Sequence, residues 1–409
     1  MEMNNKVEFN PYSLEFAADP YPIYAVLRET HPIFYDRDWD VTFVTTHQDV
    51  NDLLVHKSLG RTMDHLLKPE EITRRHRKES QGKLANYHRY VSRNLLETEG
   101  KDHARLRRLL VKGFTTAQIA NQREGIQALA DRAMDELEVQ GGMDLLEDFA
   151  NPLTVHVIAA LLGMPQEDHH LLRPWSAAIV KLYEKNTTEK DEQAAETATI
   201  AFVHYLEELL AQRRAAPGDD LISVLAQVED EGAVLKNDEL ISTCILLLNA
   251  GHESTVNTAG NGMLALLRHP DQLEQLKANP ALASSAVEEI LRYDPPLQYF
   301  HRYVLEDMEF KGFSWKRGNT IGLLYGAANR DPAAFDNPDS FDIKRTPNKH
   351  LAFGKGRHFC LGAPLARLEL EIIFNTLLAR LPNIRLATEQ PEYHTGLVFR
   401  GLKSLKLRW

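Results

Sequence analysis

From Asn237 to His269 the chain reads NDELISTCILLLNAGHESTVNTAGNGMLALLRH, without a proline. Helices in globular proteins are mostly three to four turns long, so a helix over this span is unusually long and is expected to cross the whole molecule. Its middle is apolar from Cys244 to Leu248, and AGHEST follows directly. A fold organised by such an element is large and mainly helical. The 409 residues, 43% of them hydrophobic and 26% charged, are enough to bury a core of that kind.

The remaining patterns agree. DPYPIYAVLRETHP opens with prolines suited to a helix start and stops before Pro32. WDVTFVTT alternates and is β-branched, which predicts a strand, with a helix over HQDVNDLLVH behind it. Between Gly60 and Gly100 the chain is polar, with a basic knot at Arg74, Arg75, Arg77 and Lys78; it reads as a long loop with short helices. Helices are expected over DHARLRRLLVKGF, IANQREGIQALADRAMDELEVQ, Asn151 to Leu162, Leu171 to Tyr183, Glu189 to Arg214 and ALASSAVEEILRYD. MEFKGFSW and NTIGLLYGAA look like strands, and CLGAPLARLELEIIFNTLLARL forms a last long helix closed by Pro382. No repeat or linker divides the sequence. The expected fold class is mainly α with small β-sheets, in one domain over residues 1–409.

A net charge of −11 argues against nucleic acid as the main partner, because phosphate binding needs a basic footprint. The N-terminal MEMNNKVEFNPYSLEF has no apolar core of a signal peptide, and no run approaches the ~20 apolar residues of a membrane span. A soluble cytoplasmic monomer is expected. The two cysteines, Cys244 and Cys360, imply no disulfide framework.

Cys360 lies in HLAFGKGRHFCLGAPLARLELE. Gly354 and Gly356 permit a tight turn with positive φ, which delivers the cysteine to the start of a helix. The positive end of that helix favours a thiolate. Gly362 leaves room for a large flat partner to approach the backbone. A metal ligand, a nucleophile, a redox thiol and a buried structural cysteine all remain open on these grounds.

FGKGRHFCLG resembles the phenylalanine–glycine–x–glycine–x–histidine–x–cysteine–x–glycine signature of the cytochrome P450 family. The chain also carries that family's glutamate–x–x–arginine element as Glu289 and Arg292. Its alanine–glycine–x–acid–alcohol element falls at Ala250, Gly251, Glu253 and Ser254, with Thr255 next. The resemblance extends from about Asp19 to the C-terminus. It implies a triangular, α-rich prism with haem b between the long central helix and the cysteine helix, and Cys360 as the axial thiolate that favours O–O cleavage.

The same resemblance assigns the remaining site residues. Phe353 shields the sulfur; Gly354 and Gly362 shape its loop. His103, Arg107, Arg302 and His358 hold the haem propionates. Ala250 and Gly251 make room for O2 and substrate. Glu253, Ser254 and Thr255 are the catalytic group for proton relay, with Ser254 where the family most often has threonine. Leu247, Ala250, Leu297, Tyr299, Val398 and Phe399 line an apolar substrate pocket. Glu289, Arg292 and Arg345 form a structural triad.

The function so implied is a monooxygenase that inserts an atom of O2 into a hydrophobic substrate. Its electrons come from a separate ferredoxin or flavodoxin-type donor with an NAD(P)H reductase. Arg105, Arg108, Lys112, Lys355 and Arg357 are expected to form a basic patch for that donor. A peroxide-driven relative would carry proline and arginine in place of Glu253 and Ser254; a haem sensor would need neither acid nor alcohol. Cys244 is expected to be inert core, His169–His170 a surface pair, and Trp175, Phe202 and Tyr205 core or pocket lining.

Overall fold

Asn237–Arg268 is one helix of 32 residues. It belongs to a computed structural model that describes residues 9–68, 70–71, 74, 83–91, 94–183 and 187–409. Arg75, Arg77 and Lys78 of the basic knot lie outside the described residues. The chain divides into two compact units, one of Met1–Gly60, Ala130–Asn151 and Ser254–Trp409, the other of Arg61–Leu129 and Pro152–Glu253.

The first unit contains the two larger sheets. Its five-stranded sheet has the order Ile33–Asp36, Val41–Val44, Thr320–Leu324, Tyr299–Val304 and Leu59–Gly60. Ile321 pairs with Thr42 in parallel, and every other neighbour is antiparallel. Strand side chains alternate between faces. Phe43 and Leu324 therefore join Tyr24 and Tyr299 in one core cluster, while Val44, Ile321 and Leu323 join Leu53 and Trp315 in another. Ile33–Asp36 is a strand that the sequence reading did not anticipate; it forms because it completes a hairpin on Val41–Val44 around Asp40, which has φ +51°. A second sheet joins Arg385–Leu386, Lys406–Arg408 and Gly142–Asp144.

Among its described residues the second unit is helical apart from one short hairpin, Glu229–Asp230 with Ala233–Val234. Its longest wholly contained helix, Glu189–Ala215, starts at Thr188, whose hydroxyl and backbone exchange bonds with Asp191 in a capping box. Trp175 stacks on Phe202 at 4.9 Å, with Tyr205 at 5.8 Å. The histidine pair departs from expectation. His169 is buried at 7% exposure, with Nε2 3.2 Å from Met164 O, and only His170 faces solvent. Among the described residues no helix is long and apolar enough to cross a membrane.

Candidate active site

The loop before the final long helix is shaped by its glycines. Gly354 has φ +66° and Gly356 φ +71°, the left-handed region expected of them. The turn closes with Gly354 N–H on Leu351 O at 2.8 Å, Phe359 N–H on Gly356 O at 3.1 Å and Cys360 N–H on Phe353 O at 3.0 Å. A Cβ at Gly356 would also stand 3.0 Å from Val55 Cγ1. The helix itself is Ala363–Arg380, capped by Gly362, so Cys360 precedes it rather than opening it. Pro364 in the first turn explains the later start, because it needs no hydrogen-bond partner there.

The two cysteines differ sharply. Cys244 is 1% exposed, and burial pushes its thiol up to about 12. That fits inert core. Cys360 is exposed at a helix N-terminus, and a Cβ placed on the neighbouring Gly362 would meet nothing within 4 Å. No group of three or more His, Cys, Asp or Glu among the described residues could hold a metal ion. The open flank at Gly362 suits a flat macrocycle that brings its own metal ligands, as haem does.

Two expected carboxylate partners lie in the same unit as Cys360. Arg302 is 2% exposed on strand Tyr299–Val304, with its guanidinium carbon 5.4 Å from the Phe300 ring and Nη1 donating to His301 O at 3.0 Å. His358 is half-buried in the turn Gly356–His358. In the other unit, His103 is 3% exposed and Arg107 half-buried, one turn apart on helix Gly100–Val111.

Arg105 and Arg108 of that helix and Lys112 at its C-cap do not form the expected patch of free cations. Arg105 is paired with Glu239; Arg108 Nε reaches Asp230 Oδ2 at 2.8 Å, and Lys112 Nζ reaches Asp230 Oδ1 at 2.8 Å. Asp230 of the hairpin strand Glu229–Asp230 thus offsets the charge of Arg108 and Lys112, whose side chains stay 52% and 44% exposed. Lys355 instead bonds the neutral Oδ1 of Asn51 at 2.5 Å, and Arg357 Nη2 donates to His56 O at 3.4 Å.

On the long helix, burial is one-sided. Cys244, Leu248, His252, Thr255 and Ala259 are covered, whereas Leu247, Gly251 and Ser254 are half-buried and Ala250 is exposed. The second set repeats at three- and four-residue steps, which makes a single uncovered stripe of small and apolar side chains. Glu253 is half-buried beside it. Thr255 is 4% exposed on the covered side, as is His252, whose Nδ1 lies 2.7 Å from Thr154 Oγ1. Tyr183 was not anticipated. Desolvation first, then the Glu97 and Glu253 charges, raise its hydroxyl to about 12 against the lowering pull of Asn249 and Arg61, although 46% of the residue is exposed. Nothing in the sequence links positions so far apart.

Leu297 and Phe399 face each other in an antiparallel bridge, and Gln298 N–H donates to Val398 O at 3.0 Å. Leu297, Val398 and Phe399 are half-buried. Tyr299, expected among them, is 7% exposed and packs its ring 5.6 Å from Phe43 in the sheet core. Successive strand residues alternate, so Tyr299 turns away from Phe300, which packs with Leu297 in the other cluster.

The triad assembles around one carboxylate. Arg292 Nε and Nη2 bond Glu289 at 2.7 and 2.8 Å, and Arg345 Nε approaches both Glu289 oxygens at 3.1–3.2 Å. Arg292 also donates to the carbonyls of Asn329, Pro338 and Ser340, and Asp342 N–H donates to Glu289. The fork thus ties the helix Ala283–Tyr293 to the chain leading into the cysteine loop.

Comparison with known proteins agrees with this geometry. The family model for cytochrome P450 matches residues 41–399. The chain is 37% identical to the polyketide biosynthesis cytochrome P450 PksS of Bacillus subtilis (strain 168), over 98% of each chain. It is also 37% identical to the cytochrome P450 monooxygenase PikC of Streptomyces venezuelae, over 97% of this chain and 92% of the relative. The crystal structure of P450BioI in complex with hexadec-9Z-enoic acid ligated acyl carrier protein superposes with TM-score 0.88 at 36% identity, covering 97% of this chain and 99% of that one. An exposed thiol in a double-glycine turn, a buried arginine fork and near full-length likeness to these enzymes have one common explanation: the chain belongs to the cytochrome P450 family and is a haem b monooxygenase acting on a hydrophobic substrate.

Proposed function

We propose that Cys360 is the thiolate ligand of the haem iron and that the other expected site residues, Thr255 and Tyr299 apart, act around it. Bound haem supplies the iron at which dioxygen is activated, and a thiolate ligand favours that chemistry. The observation that carries the reading is the exposed sulfur in a loop fixed by two left-handed glycines and the Cys360 N–H to Phe353 O bond. His103, Arg107, Arg302 and His358 bind the two propionates. The buried Arg302 guanidinium supports this, since such a group is matched in charge and shape by a carboxylate.

Ala250 and Gly251 leave space on the long helix for oxygen and substrate. Glu253 takes protons from solvent, and the Ser254 hydroxyl passes them on at Oγ. Thr255, on the covered side of the helix, is left out of that relay. Leu247, Ala250, Leu297, Val398 and Phe399 orient an apolar substrate and exclude water. The relatives' names favour a long acyl or polyketide chain, so hexadec-9Z-enoic acid, free and carrier-bound, is the first ligand to titrate.

Electrons come from a separate ferredoxin or flavodoxin-type donor with its NAD(P)H reductase. With Arg105, Arg108 and Lys112 paired to acidic side chains, the Lys355–Arg357 side of the cysteine loop is the surface it meets. The chain acts as a cytoplasmic monomer and as one catalytic domain.

The test is spectroscopic. Dithionite-reduced protein exposed to carbon monoxide is expected to give the strongly red-shifted Soret band of thiolate ligation, and Cys360→Ala is expected to lose it. An unshifted band in the wild type, or an unaltered spectrum in Cys360→Ala, would reject Cys360 as ligand.

A further inference from the structure

Behind the cysteine loop lies a stack of side chains that the reaction scheme does not use. Arg367 donates Nε to Glu288 Oε1 at 2.6 Å and Nη2 to Oε2 at 3.0 Å. Its guanidinium carbon lies 4.6 Å from the centre of the Phe353 ring. His350 Nε2 is 3.1 Å from Glu288 Oε2, and the imidazole is 5.9 Å from the same Phe353 ring. Ala352 N–H donates to His350 Nδ1 at 3.2 Å. That bond makes Nδ1 the acceptor, so Nε2 carries the proton donated to Glu288. Phe359 meets Phe353 edge-on at 6.3 Å, and the Phe353 carbonyl accepts from Cys360 N–H.

Stability alone is a poor account of this arrangement. Arg367 and Glu288 keep 34% and 27% of their side chains exposed, and ion pairs at that exposure add little. The geometry does something more specific. A guanidinium can fork onto a carboxylate with its edge while its face covers an aromatic ring; an ammonium cannot do both. Glu288 and His350 fix the guanidinium, the guanidinium fixes the ring, and the ring's own backbone holds the cysteine.

We propose that Arg367, oriented by Glu288 and His350, is a positioning residue that holds Phe353 beside the Cys360 sulfur and keeps that side of the metal site dry. The inference rests on the reading of Cys360 as ligand. The packing around a ligating sulfur controls solvent access and local dielectric, and through them the reduction potential. Reduction adds negative charge. Water admitted next to the sulfur would stabilise the reduced form, so a loosened ring shifts the potential to more positive values.

The experiment is a potentiometric titration of haem-loaded wild type, Arg367→Leu and Arg367→Lys, beside thermal melts and reduced carbon monoxide spectra. Arg367→Leu is expected to shift the one-electron equilibrium at least tenfold toward reduction, about 59 mV, with Arg367→Lys between it and wild type. A lower melting temperature with an unmoved potential in both variants would mark a structural brace and overturn the proposal. If Arg367→Leu fails to load haem, the Lys variant decides by the same criterion. A red-shifted wild-type band with unmoved potentials leaves ligation standing and removes only this inference. An unshifted wild-type band removes the Cys360 assignment first, and the proposal with it.

Discussion

Arg292 grips Glu289 through two parallel bonds, 2.7 and 2.8 Å long, and neither side chain has any exposed surface. Removing one partner of such a pair leaves a bare charge in the interior, which costs ~3–5 kcal/mol. Arg292→Ala is therefore expected to yield protein that fails to hold haem. The ratio of haem to protein after purification measures this, and wild-type loading would refute it.

The same loop depends on backbone handedness at Gly356. An L-residue at φ +71° is strained by about 1–2 kcal/mol. Here the new methyl also presses on Val55 Cγ1 at 3.0 Å. Gly356→Ala should lower both the melting temperature and haem loading, whereas alanine at Gly362, with open space around it, should leave the fold's stability near wild type. Paired thermal melts separate the two.

Much of this site could be read in the residues themselves, because local geometry dictates them. Gly354 and Gly356 announce a left-handed turn, Glu289 and Arg292 stand three apart on one helix, and the proline-free run to His269 can only be a long helix. What sequence does not carry is pairing across distance and choice of face. Arg108 meets Asp230 from 122 positions away, which turned an expected patch of free cations into surface ion pairs. Tyr299 sits one residue out of phase with the face it was expected to occupy. Glu369, in LARLELE, looks like one more charged side chain on an amphipathic helix, and the depth of that helix shows only in three dimensions.

Ser254 tests the proposed relay. Its hydroxyl keeps the proton donor but lacks the branch that fixes χ1 in threonine. Ser254→Thr should raise the product formed per NAD(P)H consumed. Ser254→Ala should lower it by about tenfold or more, toward the range of lost acid–base assistance. Product and cofactor are counted in one reconstituted assay; equal ratios for all three proteins would exclude a role for this hydroxyl.

Acid stability should report Glu288. Burial alone would raise its pKa, but the bonds from His350 and Arg367 outweigh burial and bring it from 4.5 down to about 2. A carboxyl lowered in the folded state stabilises the fold above its unfolded value. That contribution, kept modest by the exposure of the pair, is lost as pH falls from about 4.5 toward 2. Urea midpoints between pH 5 and 3 should fall more steeply for wild type than for Glu288→Gln. Parallel curves would contradict the assignment.

Glu369 acts in the opposite direction and at ordinary pH. It is 2% exposed on the cysteine helix, its Oε1 has no hydrogen-bond partner, and burial pushes its carboxyl up to about 8. Between pH 4.5 and 8 the folded chain therefore keeps a proton there that the unfolded chain has released. Stability must fall as pH rises through that window, by ~1.4 kcal/mol per unit and ~4 kcal/mol across it. Glutamine keeps the shape and cannot ionise. Glu369→Gln should match wild type near pH 4.5, where both carry a neutral side chain, and exceed it increasingly up to pH 8. Chemical unfolding midpoints at pH 5, 6, 7 and 8 read the divergence directly. Two curves that stay parallel would mean the carboxylate ionises freely in the fold, and that the helix face carrying it is wetter than its burial implies.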